Sequence, residues 1–120
     1  MRINIPFDFI VRGKTLRAGA YEITTINDSE TGLNMRSVTS HGDHIMFETE
    51  PLLEARAPRR SEIVFHRYGD TYFLSEILTA GRVTGAEVRE SRAERQLKRE
   101  LESNMASNQT EPERVALEVH

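Results

Sequence analysis

The segment Glu62-Ile63-Val64-Phe65-His66-Arg67-Tyr68-Gly69-Asp70-Thr71-Tyr72-Phe73-Leu74-Ser75-Glu76-Ile77-Leu78 decides the fold. It is the richest run of β-branched and aromatic residues in the chain, and Gly69-Asp70 divides it in the middle. A two-residue loop with Gly at its first central position marks a tight hairpin, because Gly accepts positive φ there. Such a loop pairs Tyr68 with Thr71, Arg67 with Tyr72, His66 with Phe73, Phe65 with Leu74, Val64 with Ser75 and Ile63 with Glu76. Alternation then puts Ile63, Phe65, Arg67, Tyr72, Leu74, Glu76 and Leu78 on one face. Val64, His66, Tyr68, Thr71, Phe73, Ser75 and Ile77 fall on the other. Both faces mix apolar and polar groups, whereas a sheet with one wet side shows a clean alternation. One face is therefore expected to line the main core, and the other to be partly covered by the C-terminal helix or a second copy of the chain. Arg67 opposite Tyr72 suits a cation–π contact of about 0.5–1 kcal/mol.

Outward from this hairpin the chain reads as strands added around it. Residues 2–11 alternate with Ile3, Ile5, Phe7 and Phe9 on one side, and Pro6 demands an edge or a bulge. Gly13-Lys14 predicts a turn, followed by a strand to about Ile26. Asn27–Gly32 is dense in turn formers. Strands are expected at Leu33–Val38 and His44–Thr49, joined by a tip at Thr39–Asp43. Loop 50–61 carries Pro51 and Pro58, with a helical turn expected at Leu52–Arg56. Thr79–Ala86 reads as a Gly-containing loop, with a short edge strand at Glu87–Arg89. Short strands with turn signals every 8–12 residues indicate an antiparallel barrel or sandwich. The expectation is an all-β, six- or seven-stranded meander over residues 1–90, followed by a C-terminal helix over 91–102 and a disordered tail over 103–120. Ser91-Arg92-Ala93-Glu94 is a capping box, in which the Ser91 oxygen accepts from the Glu94 N–H and Glu94 reaches back. Ala93, Leu97 and Leu101 give the helix a thin apolar stripe, and Glu94→Lys98 adds a supporting pair. The alternating charges of 89–102 read as a solvated face.

A chain of 120 residues forms one domain. Its net charge of −3 opposes general nucleic-acid affinity, although 14 of the 16 basic residues are Arg. There is no cysteine, which excludes disulfides, thiol nucleophiles and Cys-based metal sites. No transmembrane segment is present, since no apolar run approaches the roughly 18 residues of a span. No signal peptide is visible at Met1–Phe7, so the sequence itself is read either as a cytoplasmic chain or as a mature domain with its leader removed.

Ile5-Pro6-Phe7-Asp8-Phe9, Gly13-Lys14-Thr15-Leu16 with Ala18-Gly19 and Tyr21, Val64 through Asp70 with Tyr72 through Glu76, and Ser91-Arg92-Ala93-Glu94-Arg95 occur in that order. As a set, over roughly residues 3–100, they resemble a family of small uncharacterised bacterial β-rich proteins, common in soil bacteria and usually exported. The resemblance implies a periplasmic or extracellular location and no particular activity.

Three constellations invite chemistry. His41, Asp43 and His44 at a hairpin tip, with His66 from a distance, are candidate ligands for zinc or a similar metal. His66, Asp70, Ser75 and Glu76 contain the residue types of a hydrolase, yet the derived register sends Glu76 to the face opposite His66 and Ser75. No elbow glycines surround Ser75 either. Arg56, Arg59 and Arg60 form a basic loop cluster suited to an anion. The reading these signals leave is non-enzymatic and without a cofactor: an exported structural or binding module whose partner is another copy of itself or another protein. His66, Arg67, Tyr68, Tyr72, Leu97 and Leu101 are its candidate ligand or interface residues. The alternative is a small-ligand carrier, with Phe7, Phe9, Tyr21 and Phe65 lining a barrel interior around an apolar molecule. A metal-dependent enzyme is the lesser alternative.

Overall fold

The computed structural model describes residues 1–26, 31–39, 42–104 and 112–119, the side chains of 102–104 excepted. Two open sheets face each other in a sandwich. The first has the strand order β1 (Arg2–Ile5), β4 (Gly19–Thr25), β5 (Gly32–Ser37), β6 (His44–Glu48). The second runs β11 (Glu113–Glu118), β8 (Glu62–Tyr68), β9 (Thr71–Leu78), β10 (Thr84–Glu87), β7 (Glu50–Leu53). Two short strands, β2 (Phe9–Val11) and β3 (Lys14–Leu16), pair with each other, and β2 also meets β9 in parallel at Ile10 and Phe73. Neither sheet closes on itself, so of the two architectures expected from the sequence the sandwich is the one formed.

The eleven described strands exceed the six or seven expected because single runs split where the chain changes sheets. Pro6 ends β1 in the first sheet, and the chain re-enters pairing at Phe9 in the second. A proline cannot donate to a ladder, so it marks a natural corner. The chain returns to the first sheet between Leu16 and Gly19, where the Asp8 carboxylate accepts from the Ala18 N–H at 2.8 Å. At Thr49, one residue between β6 and β7, it crosses again. The helical turn expected at Leu52–Arg56 is not formed, because β7 pairs with β10 instead. That pairing also shortens the loop expected at 79–86 to 79–83, and the edge strand expected at Glu87–Arg89 forms earlier, at Thr84–Glu87, and inside the sheet. The turn at Gly13-Lys14 moves back by one residue: Arg12 (φ 51°) and Gly13 (φ 86°) form it, and Lys14 pairs with Val11. The turn formers at 27–30 and the tip residues 40–41 lie outside the described residues.

The central hairpin forms around Gly69 at φ 62°, with Tyr68 opposite Thr71. Its register holds as far as Phe65–Leu74 and then slips. Val64 pairs with Glu76 and Ile63 with Ile77, leaving Ser75 as the extra residue of a bulge. The expected pairs Val64–Ser75 and Ile63–Glu76 are thereby corrected. The slip carries Ile77 to the main core beside Ile63. It also moves Glu76 away from the Ile63 face.

The core lies between the sheets: Ile3, Ile5, Tyr21, Met35 and Phe47 of the first against Phe9, Leu16, Ile63, Phe65 and Leu74 of the second. Phe9 packs edge-on against Tyr21 (5.3 Å between centroids) and Phe65 (5.6 Å), and Phe7 does so against Phe65 at 4.9 Å. Burial pushes the Tyr21 hydroxyl up to about 12, and that hydroxyl donates to the Arg17 carbonyl at 2.6 Å. Val64, Tyr68, Phe73 and Leu78 are also buried, yet they stand outside this core cluster. The second sheet is thus covered on both faces. Helix α1 (Arg92–Asn104) contributes the cover on the far side.

The chain end departs from the disordered tail expected over 103–120. Residues 113–118 form β11, antiparallel to β8, with Val115 opposite Phe65 and Leu117 opposite Ile63. Val115, Leu117 and Val119 pack against the core. Residues 105–111 lie outside the described residues.

Candidate functional site

His66, Tyr68 and Ser75 share the far face of the hairpin, and α1 meets them there with one carboxylate. The His66 Nδ1 lies 2.9 Å from Oε2 of Glu94. The same oxygen accepts from the Tyr68 hydroxyl at 2.9 Å. His66 Nε2 lies 3.1 Å from the Ser75 Oγ, which shares its face of the hairpin. The neutral imidazole donates from Nδ1 to Glu94 and accepts from Ser75. The imidazolium donates at both nitrogens, so the relay is satisfied in either state.

Glu94 is 4 % exposed. A carboxylate so deeply buried requires charge-assisted partners. The hydrogen bond to Glu94 raises the His66 pKa, burial opposes this, and Glu76 adds to the rise while Lys98 detracts from it. Tyr68 is pushed up by burial first and by Glu94 second. Burial likewise raises the Glu76 carboxyl. Half of the expected capping box forms, the Ser91 Oγ accepting from the Glu94 N–H at 3.2 Å. The reach-back does not, because the Glu94 side chain is committed to the sheet. Its pairing with Lys98 is absent for the same reason, and Lys98 turns to Glu90 at 3.9 Å. Ala93 is exposed, so the inward stripe keeps Leu97 and Leu101 as expected and has Glu94 in place of Ala93.

Serine, imidazole and carboxylate in this order match a nucleophile triad in connectivity. Accessibility separates them from one. Ser75 is 7 % exposed, in mid-strand, and its carbonyl accepts from the Val88 N–H at 2.7 Å. A nucleophile needs a reachable carbonyl and oxyanion donors about 3 Å from it. Sequence reasoning named Ser75 and His66, weighed Glu76 as the acid and set it aside because the derived register placed it on the opposite face. The true partner, Glu94, had a readable signal: it lies three and seven residues before Leu97 and Leu101, and so on their face.

The other candidates are dispersed. Arg67 sits 5.6 Å from the Tyr72 ring centroid, as expected, and also donates to the Gly69 carbonyl at 2.7 Å. Tyr72 stacks on Phe7 with centroids 3.7 Å apart. Leu97 and Leu101 are half-buried. Asp70 stays exposed in its turn. Asp43 accepts from the Arg17 backbone N–H and guanidinium, both at 3.1 Å, and the His44 carbonyl accepts from Lys14 at 2.6 Å. His41 lies outside the described residues, among which no three metal-ligating side chains converge. Arg56, Arg59 and Arg60 are exposed, and Arg60 pairs with Glu118 at 2.8 Å.

A second arrangement is not legible as a site in the sequence. Open depressions of about 620 and 520 Å³ adjoin along α1, sharing Arg92, Arg95 and Gln96. Arg12 and Arg89 bound one end and Arg99 the other. Arg12 Nη1 donates to the Arg89 carbonyl at 3.4 Å, which ties the β2–β3 turn to the helix entrance.

Fold and site together define a small two-sheet β-sandwich with a helix latched to its outer face by an internal Ser–His–Glu–Tyr relay. Comparison with protein-family models, with curated proteins and with solved structures gives no match. No described helix is long and apolar enough to cross a membrane.

Proposed function

We propose that this chain is a non-enzymatic binding or structural module, exported like the family it resembles, that acts through its surface. The observation that carries the reading is the closed relay: Ser75, His66, Glu94 and Tyr68, the groups best suited to catalysis, satisfy one another beneath the helix. Their work in this reading is to fix α1 on the second sheet. The aromatic side chains that a carrier would use to line a cavity, Phe7, Phe9, Tyr21 and Phe65, pack on each other, which favours a surface over an interior site.

The test is turnover of an activated ester, p-nitrophenyl acetate, by the wild type and by Ser75→Ala. The expected result is the same slow release from both, at the level of free imidazole. A burst of nitrophenolate that Ser75→Ala abolishes, in a variant with unchanged circular dichroism, would make the chain an acyl-transfer enzyme and end this reading.

A further inference from the structure

The outward side of α1 breaks the local rules that its inward side obeys. Arg92 and Arg95 stand in the first turn, where the helix dipole disfavours cations, and Arg99 follows four residues after Arg95, where like charges repel. Each arrangement costs a few tenths of a kcal/mol in an isolated helix. The neighbouring acids offset little of this: Glu94 faces the sheet, Glu90 lines the groove but lies 3.9 Å from Lys98, and Glu100 accepts from Gln96 at 3.5 Å. Among the described residues Arg92, Arg95 and Arg99 make no ion pair, and all three are exposed.

Arg12 breaks a second rule. It occupies a left-handed turn position (φ 51°) that favours Asn, Asp or Gly, and it points its side chain to the same groove. Independent departures from local preference that converge on one surface mark a functional constraint rather than a folding one.

We propose that the groove between α1 and the β2–β3 turn binds a linear polyanion, with Arg12, Arg92, Arg95 and Arg99 each taking a phosphate-type group. This deepens the surface-binding reading above and rests on it. Arg92 to Arg99 spans about 10 Å along the helix axis, so the ligand must repeat its charge over at least that length. Guanidinium forks suit tetrahedral and planar oxyanions. The lining holds no aromatic side chain for base stacking, which favours a backbone of repeated anions over a nucleic acid read through its bases. A flat bilayer does not fit either: the site is concave, and Leu97 and Leu101 lie on the Glu94 side, away from it.

The experiment is calorimetric titration of the full chain with medium-chain inorganic polyphosphate between 50 and 200 mM salt. Four phosphate contacts predict a slope of log K against log salt of about −2.8, or roughly a 50-fold loss of affinity over that range. In Arg92→Ala/Arg95→Ala/Arg99→Ala the slope falls to about −0.7 and the loss to roughly 3-fold. Arg56→Ala/Arg59→Ala/Arg60→Ala, which removes as much charge elsewhere, leaves binding unchanged. Orthophosphate binds far more weakly, because one anion engages only one or two arginines.

Equal binding by wild type and the helix variant would overturn the assignment, as would equal loss in the two variants. So would absence of polyphosphate binding at 50 mM salt, including the case where phosphatidylglycerol vesicles or duplex DNA bind instead. Those failures leave the non-enzymatic reading standing; only Ser75-dependent turnover removes that.

Discussion

Replacing Glu94 by Gln keeps the shape of the latch and removes its charge. Two hydrogen bonds of 2.9 Å end on one carboxylate oxygen that is almost wholly buried. Charge-assisted bonds contribute about 1.5–3 kcal/mol each, and the amide oxygen recovers part of one through Tyr68. The expected loss is about 2 kcal/mol at pH 6, equivalent to roughly 8 °C in Tm for a domain of this size. The pH dependence has a definite sign. Contact with Glu94 raises the His66 pKa in the fold, so the folded state holds the proton more tightly than the unfolded chain. That contribution is complete below the unfolded value of about 6.5 and is lost as pH rises through the raised folded value. The gap between wild type and Glu94→Gln therefore narrows from pH 6 to pH 9, without closing, because Tyr68 and the neutral imidazole still donate to the carboxylate. Urea unfolding followed by circular dichroism and tyrosine fluorescence measures it, the chain having no Trp. A gap that stays constant or widens with pH would refute the assignment of His66 and Glu94 as the ionic latch.

Two further outcomes follow from packing. A Cβ on Gly85 would stand 2.8 Å from the Leu78 Cδ2 and 3.2 Å from the Ile77 carbonyl oxygen, so Gly85→Ala should lower stability by about 1–2 kcal/mol in urea unfolding. An unchanged midpoint would mean that β10 sits further from β9 than described. Removing residues 112–120 strips the part-buried Val115, Leu117 and Val119 from the core and exposes the β8 edge. A loss of roughly 3 kcal/mol is expected, with aggregation detectable by light scattering; a monodisperse truncation of wild-type stability would show that β11 adds nothing.

The hairpin was legible because its signal is local: a Gly able to take positive φ between two runs of β-formers fixes the turn and the first four pairs. The bulge at Ser75 was not, because nothing in the strand's own residues distinguishes an extra unpaired serine from a paired one. Its effect is large, since a slip of one position exchanges the faces of every residue beyond it. That is why Ile77 and Glu76 were assigned to the wrong sides. The helix is legible from its cap, and Leu97 and Leu101 from their spacing, but the first inward position is Glu94 and not Ala93. Ala93 looks apolar and Glu94 looks solvated until a histidine and a tyrosine are known to wait opposite. β7 and β10 escaped notice because short strands with little alternation are defined by the partner they find, whereas β11 does alternate, at Val115, Leu117 and Val119, and only its pairing with β8 lay beyond local reach.

By itself, then, the sequence determined the class of the protein: an all-β domain built on the 62–78 hairpin, with one capped helix after it and no cysteine chemistry. Tertiary structure alone decided that the sheets stay open, that the last strand returns to β8, and that Glu94 completes the His66 relay while four arginines gather on the outside. The physical reason is separation along the chain. Turn and capping preferences act over three or four residues, whereas Glu94 and His66, or Arg12 and Arg92, meet only after the sheets have folded.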